Sequence, residues 1–387
     1  MPKVNSDILI WARETAGLSE MEAAKKLGLS GPDRLKALES GEREPSRRQL
    51  VNMSQKYRRP LLTFYLPTPP KESDKGQDFR TLPEATTPGS NALLDALLRD
   101  IHVRQGLVRS ALDEAEDDEP LHFVGSYRMG DGIDAVVTNM RDVLGFSVED
   151  FRARRTVTDA FAALRRATEK AGVFVLLMGN LGTHHTNVDT RMFRGFALAD
   201  EVAPFIVINE NDSRAAWSFT LLHELAHIFL GQTGISGYDG EAEIEKFCDS
   251  VAGLFLLNPS ELVGIIRREN TGLEEIVRRI GAFASAGNLS RKMVAYNLLR
   301  FGHIDSGTYR EISAVFDADR IASAKDDSEH SGTPNYYTVR RHRIGPELVA
   351  FVKRMVADGT LSTTKAGQVL GVKATAVNRL IDNVSTA

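Results

Sequence analysis

The sequence predicts an α+β protein in which helices surround one small sheet. Three observations carry that expectation. The run Phe219 to Phe229 is apolar, free of Gly and Pro, and helix-compatible, and it contains His223-Glu224-Leu225-Ala226-His227. Three short β-rich runs precede it: Val173 to Leu177, Phe193 to Leu198 and Phe205 to Asn209. The segments before residue 172 and after residue 260 read as helices.

The His-Glu-x-x-His run fixes the chemistry to look for. Residues four apart share one helix face, so His223 and His227 offer two imidazole nitrogens to one metal ion. Glu224 stands beside that pair, where a carboxylate reaches a water at the metal. Zinc suits this donor set, because it takes nitrogen and oxygen ligands tetrahedrally and leaves one position open. The plain alternative, a helix with two chance histidines, buries imidazoles among Leu222, Ala226, Ile228 and Phe229 at a desolvation cost. A metallopeptidase subclass with Gly three and His six residues after the second His is excluded, because Leu230 and Thr233 stand there.

A third protein ligand is needed. The acidic stretch Gly240 to Asp249 opens a second apolar helix that runs to Leu257 and stops at Asn258-Pro259. Glu245 on this helix completes the set, one zinc per chain. Asp249, one turn later on the same face, is placed to hydrogen-bond a ligand histidine. Glu241 and Glu243 read more simply as solvated carboxylates at a helix start. Glu224 is expected to be an exposed carboxylate in a cleft. His184-His185 read as solvated loop histidines. Tyr238 and Arg194 have the chemistry to stabilise an oxyanion, and nothing in the sequence chooses between them.

Composition bounds the rest. The 387 residues imply two or three domains, and 42% hydrophobic content supports ordinary cores. The net charge of -4 gives no global nucleic-acid signal. One cysteine, Cys248, excludes an intramolecular disulfide and reads as a small buried hydrophobe. No apolar run is long enough to span a bilayer and the N-terminus does not read as a signal peptide, so a cytoplasmic, non-membrane protein is expected.

In chain order, residues 1–66 read as an all-helical unit. Ser19 and Glu22 form a capping box for a helix from Glu20 to Leu27 that ends at Gly28. A third helix runs from Pro32 to Leu38, and a fourth follows Pro45-Ser46. Two short helices joined by Gly28-Leu29-Ser30 have the length of a helix-turn-helix, which places Arg34 and Lys36 as DNA-contact candidates. From Lys3 to Arg59 there are twelve Lys or Arg and eight Asp or Glu, a modest excess, so protein docking stands as the rival role. Residues 67–91 read as a linker, 92–320 as the metal-bearing domain, 321–335 as a second linker, and 336–387 as a helix-turn-helix-like helical domain. Phe123 to Val173 reads as helical. Asp212 or Ser213 is expected to cap the His223 helix.

Two family resemblances follow from these residues. Leu18-Ser19-x-x-Glu22-Ala23-Ala24-x-x-Leu27-Gly28, Leu38-Glu39-Ser40-Gly41 and Pro45-Ser46-x-x-Gln49-Leu50 resemble the XRE, Cro-like helix-turn-helix family. Phe193 to Ala197, Pro204 to Asn209, Phe219-Thr220-x-x-His223-Glu224-Leu225-Ala226-His227 and Glu245-x-Phe247-Cys248-Asp249-x-Val251-Ala252 resemble the ImmA/IrrE metallo-endopeptidases, whose members fuse an XRE-like module to a peptidase. The resemblance implies a gluzincin-like domain with zinc on His223, His227 and Glu245, and Glu224 as the catalytic residue. It implies limited proteolysis of a regulatory protein, an XRE-type repressor or antitoxin, with control of transcription as the result. The rival reading is a DNA-binding regulator or antitoxin whose zinc site senses metal or does no catalysis. Gly253-Leu254 and Asn258 depart from the family pattern and fall outside the four site positions.

Overall fold

The computed structural model describes residues 4–70, 88–182, 186–235, 242–265, 272–327 and 335–382. The chain divides into two compact units, residues 1–101 with 180–192, and residues 102–179 with 193–387. No helix among the described residues is long and apolar enough to cross a membrane.

The first unit carries α1 (Ser6–Glu14), α2 (Glu20–Leu27), α3 (Pro32–Glu39), α4 (Arg47–Tyr57) and a 3-10 turn, Leu61–Tyr65. Short polar punctuation sets the ends. Ser19 and Glu22 satisfy each other's backbone N–H at the start of α2, and Gly28 closes it at φ 70°. Ser46 and Gln49 repeat the reciprocal cap at α4. Ile8, Leu9, Leu35, Leu50, Met53 and Phe64 are buried together as its core. A buried ion pair, Arg13 to Glu39 at 2.8 Å, ties α1 to the end of α3.

The second unit holds the sheet. Its strands are β1 (Phe174–Leu177), β2 (Gly195–Leu198), β3 (Phe205–Ile208) and β4 (Gly234–Ile235), in the order β1-β3-β2-β4. β1 runs parallel to β3, and β2 runs antiparallel to both β3 and β4. Every residue of β2 and β3 is buried, which explains their continuous apolar runs in place of strict alternation. Of α6 (Ile133–Leu144), α7 (Val148–Arg152), α8 (Val157–Lys170), α9 (Arg214–Phe229) and α10 (Ala242–Leu256), α8 and α9 pack on the sheet and the other three pack around them. α9 touches β2, β3, α8 and α10, so it is enclosed on nearly all sides. That enclosure is why its sequence is apolar around most of its circumference.

α11 (Pro259–Leu262), α12 (Leu273–Ala286), α13 (Arg291–Arg300) and α14 (Ser306–Asp327) follow. Ile280, Ala284, Leu289, Val294 and Leu298 join the same core as α9 and α10, so this helix pair packs behind the site. The chain ends with α15 (Tyr336–Ile344), α16 (Pro346–Ala357), α17 (Thr363–Leu370) and α18 (Val377–Ile381).

Three sequence expectations are corrected. Helix α5 (Pro88–Glu114) begins inside the expected 67–91 linker, because proline is well tolerated in a first helical turn. α14 extends through Asp327 into the expected 321–335 linker, because no Gly or Pro interrupts residues 308–331 and Ala, Arg and Lys favour helix there. The 123–173 stretch is not one helical run. Residues 121–128 form turns that close over α9, and α6, α7 and α8 are separated by Gly145 and by the Thr156 cap.

Candidate metal centre

α9 and α10 carry the site. Ser213 is the N-cap residue of α9, and its side chain makes no capping bond; Asp212 Oδ1 accepts only from the Ser213 N–H at 2.7 Å, ahead of the first turn, so the cap expected from Asp212 or Ser213 is not formed. At the other end, the Ile228 and Phe229 carbonyls accept from the Gly125 and Tyr127 N–H groups at 3.0 and 3.1 Å. α10 is held in the same way. Arg141 donates to the Leu254 and Phe255 carbonyls, and Arg152 to the Leu256 carbonyl at 3.0 Å. Both helices are therefore fixed at their C-terminal ends by groups from the α6–α7 side.

The result brings three donor atoms together. Nε2 of His223 and Nε2 of His227 are 3.1 Å apart. The Glu245 carboxylate lies 3.3 Å from the first and 3.2 Å from the second. A tetrahedral ion with bonds near 2.0–2.1 Å spaces its ligand atoms about 3.3 Å apart. The triangle formed by His223, His227 and Glu245 thus has the edge lengths of one face of such a site, and these residues are the set able to hold a metal ion among the described residues. Two imidazole nitrogens facing each other at this distance repel unless a proton or a cation lies between them.

Asp249 stands behind this triangle. Its Oδ1 is 2.9 Å from Nδ1 of His223, which places the ring proton on Nδ1 and leaves Nε2 as the donor toward a metal. Nδ1 of His227 has no hydrogen-bond partner among the described residues. The electrostatics of the cluster point the same way as its geometry. Burial pulls the His223 pKa down, but hydrogen bonds to Asp249 and Glu245 and the nearby Glu224 charge outweigh it and hold it up at about 10. Burial pushes Glu245 up, and the two histidines overcome that and bring it to about 2. A proton on His223 thus supplies positive charge within the cluster, and a divalent ion bound there would displace it.

Glu224 is not an exposed carboxylate. It is fully buried, because α9 packs directly on β2. The approach is possible only because β2 opens with glycine: a methyl on Gly195 would stand 2.6 Å from Thr220 Cγ2 and 2.7 Å from Glu224 Oε1. Gly195 thus makes room for the carboxylate, a role that its motif does not announce. Asn209 also shapes the surroundings of the site. It is fully buried, donates to the Phe193 carbonyl at 3.0 Å and accepts from the Asn211 N–H at 3.0 Å, so it ties the segment that precedes Gly195 to the one that leads into α9.

Other expected residues lie elsewhere. Arg194 is 65% exposed and sits 4.0 Å from the Asp212 carboxylate. Tyr238, Glu241 and His184-His185 fall outside the described residues, and Glu243 is exposed at the start of α10. Arg34 and Lys36 are exposed on α3, in the first unit, and Lys36 pairs with Glu20 at 3.2 Å. Gly253 faces Asn297 at ordinary contact distance, so the departure there from the family pattern is a packing detail. No curated protein and no solved structure matches the chain. Residues 170–299 match the model of a peptidase family described as the IrrE N-terminal-like domain, a span that includes His223, Glu224, His227, Glu245 and Asp249 and that supports the ImmA/IrrE family.

Proposed function

We propose that this protein is a zinc-dependent endopeptidase that cuts a regulatory protein at a limited site. His223, His227 and Glu245 hold one zinc ion, and Asp249 orients His223. When bound, the zinc supplies Lewis acidity, polarising a peptide carbonyl and lowering the pKa of water. Glu224 takes the proton of the attacking water and returns it to the leaving amine. Its burial against Gly195 restricts its side chain and removes competing solvent, both of which favour a positioned base. The substrate class follows from the family resemblance: an XRE-type repressor or antitoxin, whose cleavage changes transcription.

The observation that carries this reading is the joint placement of the three donor atoms with a buried glutamate that is not one of them. A structural zinc site is closed by a fourth protein ligand and has no use for such a base. The test is to count metal in the purified protein and incubate it with XRE-type repressors encoded by the same genome. One zinc per chain and a single cut, stopped by a chelator and restored by zinc, is the expected result. Zinc content near zero, or a chelator-insensitive cut, contradicts it.

A further inference from the structure

The sequence contains one ten-residue device twice. Ser19 caps α2 and Gly28 ends it in the left-handed region at φ 70°; Ser362 caps α17 and Gly371 ends it at φ 62°. In each copy a small buried residue lies four before the glycine, Ala24 in the first and Gly367 in the second. At Gly367 the reason is visible. A methyl there would be 2.8 Å from the Val372 carbonyl and 3.2 Å from the Ala374 nitrogen, so the turn folds back hard against α17. α18 then packs through Val377, Leu380 and Ile381 against α16 and α17. The result is a tight helix-turn-helix with a buried seam and an opposite face left exposed among the described residues.

That opposite face has a defined chemistry. Lys365 on α17 and Lys373, Thr375, Asn378 and Arg379 along the turn and α18 are exposed. Residues 335–382 hold eight Lys or Arg and three Asp or Glu, a net of +5 in a chain whose total is -4. Part of the basic charge is internal. Arg340 donates to the Leu370 and Gly371 carbonyls within the module, and Arg343 pairs with Glu210 at 2.5 Å, which ties the module to the segment between β3 and α9. Lys365, Lys373 and Arg379 are not consumed in this way by any ion pair among the described residues.

We propose that α17, the turn and α18 form a DNA-binding head that docks double-stranded DNA through Lys365, Lys373, Asn378 and Arg379. The local excess of positive charge meets the phosphates, and the long polar side chains of α18 lie where a second helix reaches base edges in the major groove. The first-unit copy is the weaker candidate for the same partner, since Lys36 is paired with Glu20 there.

The test uses the full chain and a labelled mixed-sequence duplex of 30 base pairs, titrated by fluorescence anisotropy at several salt concentrations. Wild type should bind with a dissociation constant of about 1–100 μM, the range of sequence-independent binding. Replacing Lys365, Lys373 and Arg379 together with Gln should weaken binding at least tenfold and lower the log–log salt slope by about 2 to 3. Adding acidic charge to the same face by Thr375→Glu with Asn378→Asp should give a similar loss, and all these positions are exposed, so melting temperatures should hold. No binding by wild type, or a triple variant with unchanged affinity and slope, overturns the proposal. So does binding lost in Arg34→Ala with Lys36→Ala but kept in the triple variant. None of these outcomes bears on peptide cleavage.

Discussion

Gly195 at the start of β2 lies so close to Glu224 on α9 that a single added methyl would come within 2.7 Å of the carboxylate oxygen. The backbone conformation of Gly195 is not in the left-handed region, so space alone explains the glycine. Gly195→Ala should therefore move Glu224 while leaving His223, His227 and Glu245 in place. Cleavage should fall by about tenfold to a hundredfold, the usual penalty for a displaced catalytic group, with metal content unchanged. Loss of metal together with activity would show that the strain reaches the ligands instead.

Asp249 gives a separate prediction. Its hydrogen bond to Nδ1 fixes the His223 ring and tautomer, and Asn cannot hold the same charge there. Asp249→Asn should weaken metal binding by about tenfold to a hundredfold, the effect expected of an outer partner of a ligand histidine. Competition with a chromogenic chelator measures this. An unchanged affinity would mean that the ring is held by its burial alone.

These two residues mark how far the sequence reaches. The His223–His227 pair is legible because helical spacing brings side chains four apart onto one face, and a helix preserves that relation wherever it packs; Glu245, on a second helix, is reachable only through the acidic helix start and the family resemblance. The capping boxes and the Gly28 stop are legible for the same local reason. The burial of Glu224 is not, because it depends on which strand lies against α9. The carbonyl anchors from Arg141, Arg152, Gly125 and Tyr127 come from more than a hundred residues away, and no local pattern announces them. Linker boundaries fail for a different reason: Pro88 and the polar residues before Asp327 read as breakers but are compatible with helix.

The attachment of the C-terminal helices predicts a pH dependence outside the metal site. Arg165 pairs with Glu169 at 3.1 Å and also donates to the His342 carbonyl, and Gly345 lies against both side chains. Burial pushes Glu169 up to about 7, more than Arg165 pulls it down. Between its ordinary value of 4.5 and about 7 the folded protein holds a proton that the unfolded chain releases. Stability from this group is therefore present at pH 4.5 and lost as pH rises toward 7. Glu169→Gln should flatten the change in melting temperature between pH 5 and 8. An identical pH profile in variant and wild type would show that Glu169 is ionised throughout.

The most direct test of the account is Glu224→Gln. Gln keeps the size of the side chain and removes the proton acceptor. Glu224 is outside the ligand triangle, so one zinc per chain should remain, and its Gln isostere should leave the buried contact with Gly195 in place. Cleavage of the repressor that wild type cuts should fall by a factor on the order of a hundred or more. If the variant cuts as fast as wild type with equal metal content, Glu224 is not the base and the peptidase mechanism is wrong.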